Sequence, residues 1–386
     1  MRAASLALLG AAALAAPATA QSVQFSALLR GSLGYGTNPF VRPGVSEGSG
    51  VASGSFAPKL LYQTERSATS LEGEYDRDQY FTRFGYTDSA RATLKRTDQF
   101  SANFQSILSG SFSTTNKATI ADPEAIDNEP LNIGQRTYRS TGSMQLQWQA
   151  NAKDQFTYGA QIEHLAYGDR GGSIPNLIAS SYTQYSINGG YVRALDARTT
   201  VGVQATVSTV HSELYPNSRA IQPAITAKRQ LSAIWTIDGS LGVVLQHVDG
   251  PLGGNSTSLG YGLNLCGTYP RSHICLSAQH QTSPSGYGAL RTNTTFSGTY
   301  SRELTEHSRL SATASYYKTS SDRSLLGPAL ISNARAILAT GQYDRDLTQR
   351  LSAGLGGTYQ WRKTENYGSG HSLAGSVHVT AKLGRI

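Results

Sequence analysis

Two cysteines, a run of alternating carboxylates and a scatter of histidines are the residues whose chemistry and spacing ask for an explanation. Cys266 and Cys275 flank Pro270-Arg271. If those two residues form a two-residue turn, Tyr269 pairs with Ser272, and counting outward pairs Cys266 with Cys275. The spacing therefore predicts a cross-strand disulfide on the polar face of a hairpin. Glu72, Glu74, Asp76 and Asp78 recur at every second residue, as do Arg91 and Lys95 with a gap. On adjacent strands turning at Phe84-Gly85 this pairs Asp78 with Arg91 and Glu74 with Lys95, a charged stripe in which opposite signs stabilise each other modestly. Asp122, Glu124, Asp127 and Glu129 gather acid in one long loop, about 114–135.

No enzyme site emerges from the rest. His211-Ser212, His307-Ser308 and His371-Ser372 are neighbours in sequence, and neighbours on a strand point to opposite faces. His273 is read on the face opposite the cysteines, so no metal site is expected. The sequence has no phosphate-cradling glycine loop and no His-Glu-x-x-His pattern. No cofactor and no catalytic residue are assigned.

The elements that must position these groups are strands. Leu347 to Trp361 shows the unit most clearly: a polar turn, then Leu351, Ala353, Leu355, Gly357, Tyr359 and Trp361 on one face and Ser352, Gly354, Gly356, Thr358 and Gln360 on the other. Variants recur along the chain, giving about 18 strands with short polar turns alternating with longer loops. Strand 1 is read from about Val23 to Tyr35. A turn is read at Asp98, with Phe100, Ala102, Phe104 and Leu108 on the next strand, whose alternation Ser106 and Ile107 break. The fold class predicted is all-β: a transmembrane antiparallel up-and-down barrel of porin type.

Composition agrees. Only 15% of residues are charged, against 21 Tyr and 40 Gly, where a soluble domain carries about 25% charge. A closed barrel satisfies its backbone in lipid without a hydrophobic average. The chain opens with Arg2, an Ala/Leu run and Ala18-Thr19-Ala20, the pattern of a secretory signal cut after Ala20. Residues 1–20 are thus read as signal and 21–386 as an outer-membrane barrel, which begins too soon after the signal for an N-terminal plug. The net charge of +8 is scattered, which excludes a nucleic-acid interface and suits a basic lumen or contacts to lipopolysaccharide at the rim. On the polar face, Lys59, Glu72, Glu74, Asp76, Asp78, Arg91, Lys95, Gln145, Gln147, Gln204, Lys228 and Arg291 are expected to line a pore. The 114–135 loop is a candidate constriction.

The stretch Gly34-Tyr35-Gly36-Thr37-Asn38-Pro39-Phe40 closes the first strand. With the strand starts Leu304-Thr305-Glu306 and Leu347-Thr348-Gln349-Arg350, it resembles the beta-barrel porin 2 family. The resemblance implies an outer-membrane conduit for exopolysaccharide, working with a periplasmic polysaccharide-export protein. The alternative is a general diffusion porin for small hydrophilic solutes, and a third is a barrel enzyme acting on lipid or lipopolysaccharide. The end of the chain departs from the usual pattern: Leu373, Val377, Val379, Ala381 and Leu383 share a face, and Ile386 is out of phase with it.

Overall fold

The structure, a computed structural model, describes residues 22–82, 85–116, 136–168, 180–250, 253–284, 290–320, 333–364 and 368–384. The proposed signal, the acidic residues of the long loop and Ile386 lie outside them. Among the described residues there is no helix. The first nine strands are β1 (Ser22–Thr37), β2 (Gly48–Gln63), β3 (Ser67–Tyr80), β4 (Tyr86–Ser101), β5 (Phe104–Thr115), β6 (Thr137–Gln149), β7 (Asp154–Tyr167), β8 (Tyr182–Ala194) and β9 (Thr199–Ser212). The second nine are β10 (Ser218–Gln230), β11 (Trp235–Val248), β12 (Gly254–Tyr269), β13 (Ser272–Pro284), β14 (Leu290–Thr305), β15 (Ser308–Ser320), β16 (Ala334–Asp346), β17 (Leu351–Thr364) and β18 (Gly368–Gly384). Each pairs antiparallel with its neighbours in sequence, and β1 pairs with β18, so the 18-stranded sheet closes. Closure leaves no edge.

The two faces follow from the period of two. Leu33, Ile225, Leu355 and Leu373 are each more than half exposed, while His378, Arg362 and Ser372 are buried. Such an inside-out distribution is what a lipid-facing wall requires, and crowding of polar groups marks the concave side. Strands run from 12 residues (β5) to 17 (β18), beyond the roughly 9–11 needed to cross a bilayer. Aromatic side chains ring the outward face near the short turns, with Phe100 and Phe104 at 5.5 Å and Trp148 and Phe156 at 5.4 Å. Tyr35, Tyr138 and Tyr185 are exposed near the other end.

Short turns form where a side-chain oxygen can replace a strand partner. Thr64, Ser101, Asn151, Asp196, Ser232, Thr305 and Thr348 each accept a hydrogen bond from a backbone N–H two or three residues on, the usual Asx and Ser/Thr turn chemistry. The remaining short turn is Pro270-Arg271. Both described chain ends lie at this short-turn end.

The expected turn at Asp98 changes. β4 continues through Asp98 to Ser101, and the turn is Ala102-Asn103 with a bulge between Gln99 and Ser101. With that turn in place, Ser106 and Leu108 face outward and Ile107 inward, in unbroken alternation. In β16, Ile337 pairs with Trp361 and Tyr343 with Leu355, on the outward face.

Candidate functional site: the lumen wall

The register fixes which side chains share the polar, concave face. Ser26, Lys59, Glu72, Thr93, Ser111 and Thr141 lie side by side across six strands in one ladder row. By the same parity Glu74, Asp76, Asp78, Arg91, Lys95, Gln145, Gln147, Gln204, Lys228 and Arg291 stand on this face. Lys59 and Glu72 form an ion pair at 2.7 Å.

The partners within the charged stripe differ from those expected. Glu74 lies opposite Arg91, Asp76 opposite Ser89, Asp78 opposite Thr87, and Lys95 opposite Ser70. The register is displaced because β3 and β4 meet at Gln79 and Tyr86, leaving residues 80–85 between that last pair. A loop of this length is invisible to a count that assumes a tight turn. The Ser89 hydroxyl donates to Asp76 at 3.4 Å. Four inward carboxylates on β3, with cations only on the flanking strands, give this sector of the wall a locally acidic line. Elsewhere Lys228 faces Asp238 across the ladder, and Asn264 donates to Asp238 at 2.9 Å. Further arginines stand at the short-turn rim, in the turns at Arg66, Arg198, Arg271 and Arg350 and on the outward face at Arg193, Arg229, Arg302 and Arg345. In its turn the Asp196 carboxyl is held below the usual carboxylate range, chiefly by the Arg198 backbone N–H at 2.6 Å and then by the Thr199 hydroxyl.

The segment 38–47 between β1 and β2 folds inward. Val41 is 2% exposed and packs on Ala334 and Ala336 of β16, with Tyr317 of β15 beside them. Phe40 stacks obliquely on Tyr80 at 5.2 Å. The segment therefore lies over an arc of wall from β16 round to β3. It is tied to itself: the Asn38 side chain donates to the Arg42 carbonyl at 2.8 Å and accepts from the Arg42 N–H at 2.9 Å. Asn38 and Val41 both have positive φ, 49° and 52°. Asn tolerates that region; a β-branched residue does not, so Val41 is held there by what it packs against. Gly370 lets the segment approach, because a Cβ there would strike the Val41 and Arg42 carbonyls. Sequence reading had turned to the 114–135 loop as the constriction. The signal for the nearer segment was present in Asn38-Pro39-Phe40-Val41, a polar turn followed by two apolar residues in a loop.

His378 is a second feature that the sequence did not single out. Its Nε2 lies 2.7 Å from Asp344 although the two are not ladder partners. Gly354 lies between them and has no side chain to obstruct the contact.

Cys266 and Cys275 are ladder partners, 4.2 Å apart at Cα, and joined as a disulfide. The close spacing is that of a non-hydrogen-bonded pair. His273 corrects an expectation. Residues two apart share a face, so it stands beside the cysteines, with Nε2 3.1 Å from Cys275 Sγ and Nδ1 3.2 Å from the Thr268 hydroxyl. The three donors could converge on a cation only with the disulfide opened.

No family model matches the chain, and no curated protein does, so the likeness carried by Gly34 to Phe40 stays a resemblance. Among solved structures the chain is similar to OccK2 (OpdF) of Pseudomonas aeruginosa in complex with glucuronate, at 9% identity and a TM-score of 0.49, over 95% of this chain and 99% of that one. It is similar to OprD of the same organism at 9% identity and 0.46, over 95% and 96%. It is also similar to a mutant of the ferric enterobactin receptor PfeA, again from that organism, at 11% identity and 0.47, over 93% and 80%. The likeness is one of barrel fold.

Proposed function

We propose that this barrel is an outer-membrane porin through which small hydrophilic solutes diffuse passively. The observation that carries the reading is the inward face. Ser, Thr and Gln recur along it, and several of its charges are answered by a neighbour. The segment 38–47 lies against the inner side of this wall. Barrels of about this strand number leave an aqueous bore, and hydroxyl and amide groups exchange with a solute's hydration at little net cost. The short-turn end then faces the periplasm and the longer loops face outward. In this reading the chain is a channel without catalytic step or cofactor.

Export of an exopolysaccharide with a periplasmic partner is the weaker reading. It rests on the resemblance at Gly34 to Phe40, and those residues lead into the segment that occupies the bore where an extended polymer would pass. Swelling of liposomes carrying the purified chain separates the two. Swelling in small sugars that slows steadily from mono- to tetrasaccharide supports diffusion. No swelling with any solute, together with loss of surface polymer in a deletion strain restored by the intact gene, would overturn it in favour of export.

A further inference from the structure

A groove of about 840 Å³ lies on the outward face across β8 to β12. The ladder shows how it arises. Arg193, Val201, Ala227, Gly239 and Leu263 sit side by side in one ladder row. Ala227 and Gly239 present almost no side chain, so the wall recedes between its larger neighbours. The next row toward the middle of the barrel carries Tyr191 and Tyr261 at its two ends, and these form the walls. Toward the short turns the groove ends at Arg193 and Arg229, both exposed. A second concavity of about 700 Å³ shares Tyr191, Val203, Ile225 and Leu241 with the first and continues over Gly189 and Ala205. Together they make an apolar trough along the outer wall, capped at its short-turn end by two guanidinium groups.

We propose that this trough binds one anionic diacyl phospholipid of the leaflet at the short-turn end. Its phosphate sits on Arg193 and Arg229, and an acyl chain lies over Ala227 and Gly239. Charge complementarity selects this occupant. A guanidinium pairs with a phosphate through two parallel N–H donors. Arg193 has the Asp154 carboxylate at 3.8 Å, which Tyr191 also holds at 2.7 Å, and Tyr191 contacts Arg193 too; Arg229 has the Asp196 carboxylate of the adjoining turn near it. Each guanidinium carries five N–H donors, so both still have donors for a headgroup. A second copy of the chain fits less well. Two copies share one orientation in a membrane, so a two-fold contact here sets the arginine rim of one against the arginine rim of the other. The assignment rests on the transmembrane reading above.

The test is native mass spectrometry of the full chain in detergent, titrated with phosphatidylglycerol or phosphatidylcholine of identical acyl chains. The wild type is expected to retain phosphatidylglycerol at least fivefold better. Arg193→Gln with Arg229→Gln should abolish that preference. Arg302→Gln with Arg345→Gln, on the same rim outside the trough, should keep it. Ala227→Phe, which fills the floor and leaves both arginines, should weaken retention of both lipids. Heat-modifiable gel mobility establishes that each variant is folded. Equal retention of the two lipids by the wild type, an unchanged preference in the Arg193/Arg229 variant, or a two-chain mass that only Ala227→Phe dissociates would overturn the proposal. A chain that swells liposomes yet shows no headgroup preference sinks this inference and spares the channel reading.

Discussion

Val41 seats the inward segment 38–47 on the wall, and its energetics can be worked from its surroundings. Its side chain is buried against Ala334 and Ala336, a contribution of about 1.5–3 kcal/mol. Its left-handed backbone, at φ 52°, costs about 1–2 kcal/mol. The two nearly cancel, so Val41→Gly, which removes both, should shift the seated segment by no more than about 1–2 kcal/mol. Val41→Lys differs. It loses the burial and brings an ammonium beside Arg362, which lies between Ala336 and Gly370 in the ladder. Burying an unpaired ion costs several kcal/mol. At about 1.4 kcal/mol per tenfold, the seated population should fall at least a hundredfold. Single-channel recording in a planar bilayer reads this directly. Val41→Lys should conduct at one higher level, and Val41→Gly at the wild-type level with brief excursions to it. A Val41→Lys channel with wild-type conductance, or a Val41→Gly channel as wide as Val41→Lys, would refute the argument that this segment narrows the bore.

Neutralising Glu74 and Asp76 to Gln and Asn should move ion preference toward anions, because the acidic line on β3 loses two of its four carboxylates and Arg91 loses the one it faces; the reversal potential in a salt gradient checks it. Gly354→Ala should cost roughly 1–3 kcal/mol, since the new Cβ would lie 2.5 Å from His378 Nε2 and displace it from Asp344; the temperature at which the folded band is lost on a gel should fall. Asp196→Asn tests the turn. The Asp196 carboxyl is depressed in the folded chain, so its stabilisation is present above the unfolded carboxylate range and lost as pH falls through the folded value. The stability gap between wild type and variant should therefore be open near neutrality and close in acid, and a gap unchanged from pH 7 to pH 2 would count against it.

The alternation of side chains was legible from the sequence because a strand's period is fixed by backbone geometry alone. Leu351 to Trp361 shows its two faces without any tertiary information, and the Cys266–Cys275 pairing follows from a turn of known length. Register across β3 and β4 was not legible, since it depends on how many residues loop out after Gln79, and Gly85 alone does not say. The turn after β4 was misplaced because Asp98 resembles a turn residue, while the true turn follows a bulge between Gln99 and Ser101 that shows only in the cross-strand register. The inward fold of 38–47 was hidden for a further reason: what seats Val41 lies nearly 300 residues away in the chain. His273 needed only parity.

The pairing of β1 with β18, from Ser26–Gly384 to Gly36–Ala374, has a consequence for how the chain is made. Every other ladder joins strands adjacent in sequence and can form as soon as both exist. This seam joins the two extremes. Loop closure costs only about 0.6 kcal/mol per doubling of length, so the equilibrium barely registers the distance. The kinetics do, because contacts this remote form slowly. Until β18 arrives, β1 and β17 both present bare hydrogen-bonding edges that will pair with any strand they meet. A chain of this design has to be kept apart from its own kind throughout synthesis and transit, and it becomes safe only in the last act of its assembly.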